Sequence, residues 1–220
     1  MKINDRLKKI GDLVDANSLC LDIGCDHALL DIYLVKEKKQ VKAIASDIAE
    51  GPLEKAKENI KKYQVEDKVE IRLGDGLSTY TDEVDTGIAS GIGGRTIIGI
   101  FKNNLKITKK LKQIIISPNN YQMDVRKFFT SIGFYIEDEE LVKDGKYIYQ
   151  IIKFKKGRKH YSKKELFFGP ILLTKKNKLF KDYFTRELNS RKIMIDLLPK
   201  NFRMKKYKTK QEIKMIEKEI

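Results

Sequence analysis

The sequence holds 220 residues, two cysteines, no tryptophan and a formal net charge of +15. That length buries a core without disulfide staples, and no uncharged apolar run reaches the ~18 residues of a membrane span. Residues 1–154 carry 25 Lys and Arg against 24 Asp and Glu, whereas residues 155–220 carry 21 against 7. A near-neutral body with a strongly basic tail fits a polyanionic partner, nucleic acid first among them. Cys20 and Cys25 show no CxxC spacing and no signal peptide precedes them, which points to a reducing cytoplasm.

In chain order, the apolar periodicity predicts a helix over 3–14, a strand over 18–23 and a helix over 27–38. A strand over 41–46 follows, then a helix over 52–63 with Pro52 in its first turn, and a strand over 69–73. Residues 84–90 read as a fourth strand, "GGRTIIGIFKNN" as a helix, 112–118 as a fifth strand and 123–131 as a helix. "FYIEDEELVKDGKYIYQIIKF" reads as a hairpin turning at Asp144-Gly145. Alternating strands and helices predict an α/β fold, a doubly wound parallel sheet closed by a terminal antiparallel hairpin. After the basic linker "KKGRKHYSKK" the period becomes helical, with Leu179, Tyr183 or Phe184, Leu188, Ile193 and Leu197 on one stripe. Pro199 and Asn201 break it, and a helix over 208–220 folds back. The expected division is a domain over 1–156 and a helical extension over 157–220.

Ligands of an open parallel sheet sit at the carboxyl ends of its strands. The first tip, "LDIGCDHA", carries Asp22, Gly24, Cys25, Asp26 and His27. The second carries Asp47 and Ile48, the third Asp75 and Gly76. The fourth, "SGIGG", carries Ser90, Gly91, Gly93 and Gly94. Four successive tips with acids or glycines are a far more specific signal than one. A nicotinamide dinucleotide needs G-x-G-x-x-G at the first turn, where Gly24, Asp26 and Leu29 stand instead, and Asp26 sets negative charge against the phosphates. A cofactor that is cationic and free of phosphate, such as S-adenosylmethionine, tolerates those acids.

A zinc site needs about four ligands, and two cysteines and two histidines, one of them His160 in the basic linker, do not supply them, so no metal is expected. A Cys25 nucleophile needs a base beside it, and neighbouring residues on one turn usually point apart. Plainer readings remain open. His27 fits a helix start, Asp47 and Asp75 fit turns, Asn119 in "SPNN" fits ordinary turn chemistry, and Tyr121 fits a helix cap.

"DIGCDHALL", "SDIAEGPLEKAKENI", "GDGL", "SGIGG" and "ISPNNYQMDVRKF" resemble, in order and spacing, the bacterial tRNA (adenine-22-N1)-methyltransferases. The likeness covers essentially the whole chain, with departures at Cys25, Asp31 and Ile92 and in a short tail. It implies a class I, Rossmann-like methyltransferase with a coiled-coil-like C-terminal helical hairpin. It further implies S-adenosyl-L-methionine as cofactor and methylation of N1 of adenine 22 in tRNA; apart from the resemblance, a cytoplasmic monomer is expected. On that reading the cofactor contacts are the acids and glycines of the four tips up to Gly91, together with Cys25, His27, Ile48 and Ser90. Asp26, His27 and Asn119 stand beside the transferred methyl group. Gly93, Gly94, Arg95, Tyr121, Arg126, Lys163, Lys175 and Lys176 meet the tRNA. A methyltransferase of small molecules and a non-enzymatic RNA-binding protein are the competing readings.

Overall fold

The computed structural model describes residues 1, 3–38, 40, 42–199 and 201–220. They form two compact units, Met1–Pro170 and Ile171–Ile220.

The first unit opens with α1 (Asp5–Leu13), whose N-cap Asn4 accepts the Leu7 N–H at 2.8 Å. Then come β1 (Leu19–Ile23), α2 (Leu29–Lys36), β2 (Lys42–Asp47), α3 (Glu50–Tyr63) and β3 (Val69–Leu73). A 3₁₀ turn (Gly76–Thr79) leads to β4 (Thr86–Ser90), α4 (Gly94–Asn103), α5 (Leu105–Thr108), β5 (Gln113–Ser117) and α6 (Gln122–Ser131). The hairpin of β6 (Phe134–Asp144) and β7 (Tyr147–Lys156) and the short α7 (Lys163–Phe168) complete it. The sheet order is β3-β2-β1-β4-β5-β7-β6, with β1 to β5 parallel and the hairpin antiparallel.

Helices cover both faces of the sheet, which is why its central strands are apolar without alternation. All of β5 is buried. One face packs Ile32, Val35, Ala56 and Ile60 over Ala43 and Ala45, and another cluster joins Ile10, Leu30 and Leu34 to Ile88, Ile115 and Ile151. Chain order reverses between β1 and β4, so the crevice where a doubly wound sheet binds ligands opens at those two tips.

The expected helix over 27–38 begins only at Leu29, because Asp26 and Ala28 hold positive φ values of 53° and 54° and extend the loop. The expected start of the second strand, Val41, lies outside the described residues. The hairpin loop is Gly145-Lys146, one residue later than expected, with the positive φ at Gly145 and Asp144 paired to Tyr147. Residues 157–170 stay with the first unit: the Tyr161 hydroxyl accepts the Ile136 N–H at 2.9 Å and the Leu166 carbonyl accepts from Arg126 at 3.3 Å. The boundary therefore falls at Pro170, later than the basic linker suggests.

In the second unit α8 (Pro170–Lys175) runs into a hairpin of α9 (Lys178–Leu197) and α10 (Arg203–Glu219). Ion pairs from Arg191 to Glu212 and from Lys176 to Glu219 run antiparallel along it. The buried stripe of α9 is Phe180, Phe184 and Leu188, while Ile193 and Leu197 are exposed. The expected stripe thus holds only over the first half of α9. The second helix starts five residues before the expected Lys208, its first turn bearing no buried side chain to give a period.

Candidate active site

The β1 tip is fastened by backbone. The N–H groups of Gly24 and Cys25 both donate to the Ser46 carbonyl of β2, at 2.8 and 3.0 Å. Gly74 N–H donates to Asp47 O, and Gly91 N–H donates to Ser117 O, each at 3.0 Å. Neighbouring tips are thus held by main chain, leaving their side chains free to face a ligand.

Between them lies a cavity of about 580 Å³. Asp22, Gly24, Cys25, Asp26 and His27 line it from β1 and its loop, and Asp47 and Ile48 from the β2 tip. Asp75 and Gly76 follow β3, and Ser90 and Gly91 end β4. Every residue expected to touch the cofactor is thereby brought to one space. Thr96 and Ile100 of α4 and Asn4, Arg6 and Leu7 of α1 line it as well, and none of these was singled out from the sequence. α1 reads from its period as an ordinary packing helix, and only the fold lays it over the crevice.

Asp22 is buried with one carboxylate oxygen lacking any hydrogen-bond partner. Burial, reinforced by the charge of Asp47 and opposed by Arg6, pushes its carboxyl up to about 7. Asp31, the first-turn acid of α2, is fully buried with neither oxygen bonded; burial and then Asp22 drive it well upward. Burial likewise raises the Cys25 thiol, with Asp31, Asp22 and Asp47 adding to it. A thiol so raised is no nucleophile at neutral pH. Asp47 accepts the Ala49 N–H at 3.0 Å, so it makes its turn while still lining the cavity. His27 lies with Nδ1 3.4 Å from Asp26, both exposed, and its carbonyl accepts from Asn59. His160 lines a separate cavity with Arg158 and Lys159, and among the described residues no group of three His, Cys, Asp or Glu could hold a metal ion.

Beside the cavity stands a second set. Asn119 donates from its side-chain amide to Gly91 O at 2.6 Å, and its backbone N–H donates to Ile92 O. Asn120 accepts the Gly94 N–H at 3.0 Å, and a Cβ at Gly94 would stand 2.3 Å from the Asn120 carbonyl, so only glycine permits this approach. Arg95 stacks on Tyr121, guanidinium carbon 4.2 Å from the ring centre, with both residues exposed.

A sequence model of the tRNA (adenine(22)-N(1))-methyltransferases matches residues 20–218. The chain belongs to that family. The methyltransferase is 28% identical over 196 residues to the tRNA (adenine(22)-N(1))-methyltransferase of Bacillus subtilis, spanning 86% of this chain and 82% of that protein. A Streptococcus agalactiae protein of the NADB-Rossmann superfamily superposes with a TM-score of 0.93 at 30% identity, covering 99% of this chain and 97% of the other. Streptococcus pneumoniae Sp1610, in complex with S-adenosyl-L-methionine, gives 0.91 at 26% identity over 99% of both chains.

The methyltransferase departs from the expected substrate surface at Arg126. That residue is fully buried, donating from Nε to Glu139 and from a terminal nitrogen to Gln150, both at 2.6 Å. It ties α6 to both strands of the hairpin and cannot meet tRNA. Lys163 is exposed at the start of α7, whereas Lys175 and Lys176 belong to the second unit, Lys176 paired with Glu219 at 2.8 Å.

Proposed function

We propose that the cavity holds S-adenosylmethionine and that the surface of Gly93 to Arg95 and Asn119 to Tyr121 presents adenine 22 of tRNA to it. The observation that carries this reading is the composition of the cavity. Its walls bring together four aspartates, one of them buried with an unsatisfied oxygen, and exposed glycine backbone. That suits a cationic ligand and opposes a pyrophosphate. Asp47 would accept from ribose hydroxyls, as an acid at the second tip of a doubly wound sheet does, and Asp22 would face the amino group. Bound there, the cofactor supplies an electrophilic methyl on a sulfonium.

Adenine N1 carries an in-plane lone pair and no hydrogen, so the chain needs no general base. Its residues orient the reactants, which is worth up to ~7–11 kcal/mol when they are pre-organised. Asp26 and His27, beside one another at the cavity's edge, are suited to stabilise the cationic product ring. N1 lies on the base-pairing edge, so the adenine must leave its stack, and the Tyr121 face with its Arg95 partner suits a displaced base. The basic residues of the second unit, 15 Lys and Arg against 6 Asp and Glu, would hold phosphates. The free thiols of Cys20 and Cys25 agree with a cytoplasmic enzyme, and we take it to act as a monomer.

Transfer of tritiated methyl to unmodified tRNA, with the product mapped by nuclease digestion, tests the reading. Incorporation at adenine 22 that vanishes with guanine at that position is expected. Equal incorporation into both tRNAs would refute the site assignment, and labelling of small molecules alone would favour another substrate class.

A further inference from the structure

Arg95 and Tyr121 meet although each stands against its own local preference. Arg95 lies in the first turn of α4, which carries no acidic residue, so its charge faces the positive end of the helix dipole. Tyr121 holds a left-handed backbone at φ 56°, a conformation costly for a bulky side chain. The turn that imposes it is fixed on both sides: Asn120 accepts the Gly94 N–H, and the Tyr121 carbonyl accepts the Val125 N–H, each at 3.0 Å. The result is a ring 42% exposed with the guanidinium carbon 4.2 Å from its centre. Among the described residues no acid pairs with Arg95. Ile92 and Thr96, its near neighbours in the chain, line the cavity, which sets the pair beside it.

Methyl transfer changes the charge of the base. The C–S bond breaks as the C–N1 bond forms, the sulfur keeps the electron pair, no proton moves, and the positive charge passes from the sulfonium to the adenine ring. The substrate base is neutral and the product base is a cation at neutral pH. An aromatic face attracts a cation, so Tyr121 alone would hold the product more tightly than the substrate. A face that already carries a guanidinium does not: the cationic base must displace Arg95 or share the ring with a like charge, and the N-terminus of α4 adds to the repulsion. A neutral adenine meets no such penalty and stacks on ring or guanidinium alike. In the transition state the charge is still shared with the departing sulfur, so the full repulsion falls on the product.

We propose that Arg95 and Tyr121 form a charge-reading pair: Tyr121 stacks the neutral adenine, and Arg95 rejects the base once it is methylated, which promotes release of the modified tRNA. The inference rests on the reading that adenine 22 is presented at this surface.

Filter binding on the full chain saturated with S-adenosylhomocysteine should compare a tRNA bearing adenine 22 with the same tRNA bearing N1-methyladenine there. Methylation also removes a pairing edge, so the quantity read is the change in the affinity ratio from one variant to the next. Arg95→Gln, checked by thermal melting, should shift the ratio toward the methylated tRNA by about fivefold, the span of a cation–π contact at an exposed site. Arg95→Glu, whose charge suits the start of a helix, should shift it at least as far. Arg95→Lys keeps the charge and should stay near the wild-type ratio, and Tyr121→Leu added to Arg95→Gln should abolish the shift. An unmoved ratio in the Gln and Glu variants would overturn the proposal, because a residue that only grips phosphate weakens both tRNAs by the same factor. A shift that survives Tyr121→Leu would overturn it too. Absence of methyl transfer to adenine 22 would instead sink the reading of function, whereas transfer with an unmoved ratio sinks this inference alone.

Discussion

With the cofactor's ammonium set against Asp22 as proposed, cofactor binding is coupled to pH. Its carboxyl rises from the ordinary 3.8 to about 7, so near neutrality the empty cavity holds a mixture of acid and carboxylate. An ammonium ligand binds only the carboxylate. Affinity should therefore be flat above pH 8 and fall as pH drops through 7. The fraction ionised changes about tenfold between pH 8 and pH 6, and the dissociation constant should change by the same factor. About half a proton should leave per molecule bound at pH 7, measurable by titration in two buffers of different ionisation heat. Repeating the series on His27→Gln separates any contribution of the imidazole.

The sign for stability is opposite. A carboxyl raised in the folded state binds more protons folded than unfolded, so it favours folding at low pH. That stability is lost as pH rises from about 4 through 7, up to about 4 kcal/mol for a shift of this size. Asp22→Asn should then melt higher than wild type at pH 8 without ligand while losing most cofactor affinity. A wild-type dissociation constant unchanged between pH 6 and pH 8, or an Asp22→Asn variant with the same pH slope, would refute the reasoning.

Arg126→Ala leaves Glu139 buried without its guanidinium. It should cost about 3–5 kcal/mol and lower the melting temperature sharply, whereas an unchanged melt with weakened tRNA binding would return Arg126 to the substrate surface. A chain ending at Pro170 keeps the whole first unit and should bind S-adenosylmethionine as the full chain does. Its tRNA affinity, and the steepness with which that affinity falls with salt, should both drop; filter binding at several salt concentrations that gave the same slope for both chains would count against the basic tail.

The strand tips were legible because a parallel sheet turning into helices needs glycine or short polar residues there, and those residues stand out between apolar runs. β3 is observed over the range its period predicts, Val69–Leu73. What escaped the sequence depended on distant partners. Arg126 looks like a surface cation on an amphipathic helix until Glu139 and Gln150 arrive from a hairpin later in the chain. Arg6 escaped for the same reason, since nothing local marks α1 as a wall of the cavity. The α10 start was missed because Phe202 and Met204 are exposed and give no periodic signal.

Cys25 lines a cavity suited to an alkylating agent. A thiolate there would compete with the adenine for the methyl group, and each such event would retire one enzyme molecule. Burial first of all keeps the sulfur protonated, with Asp31, Asp22 and Asp47 adding to it, and a thiol is a far poorer nucleophile than its conjugate base. The packing that buries Cys25 beside the proposed cofactor site thus also protects the protein from its own reagent.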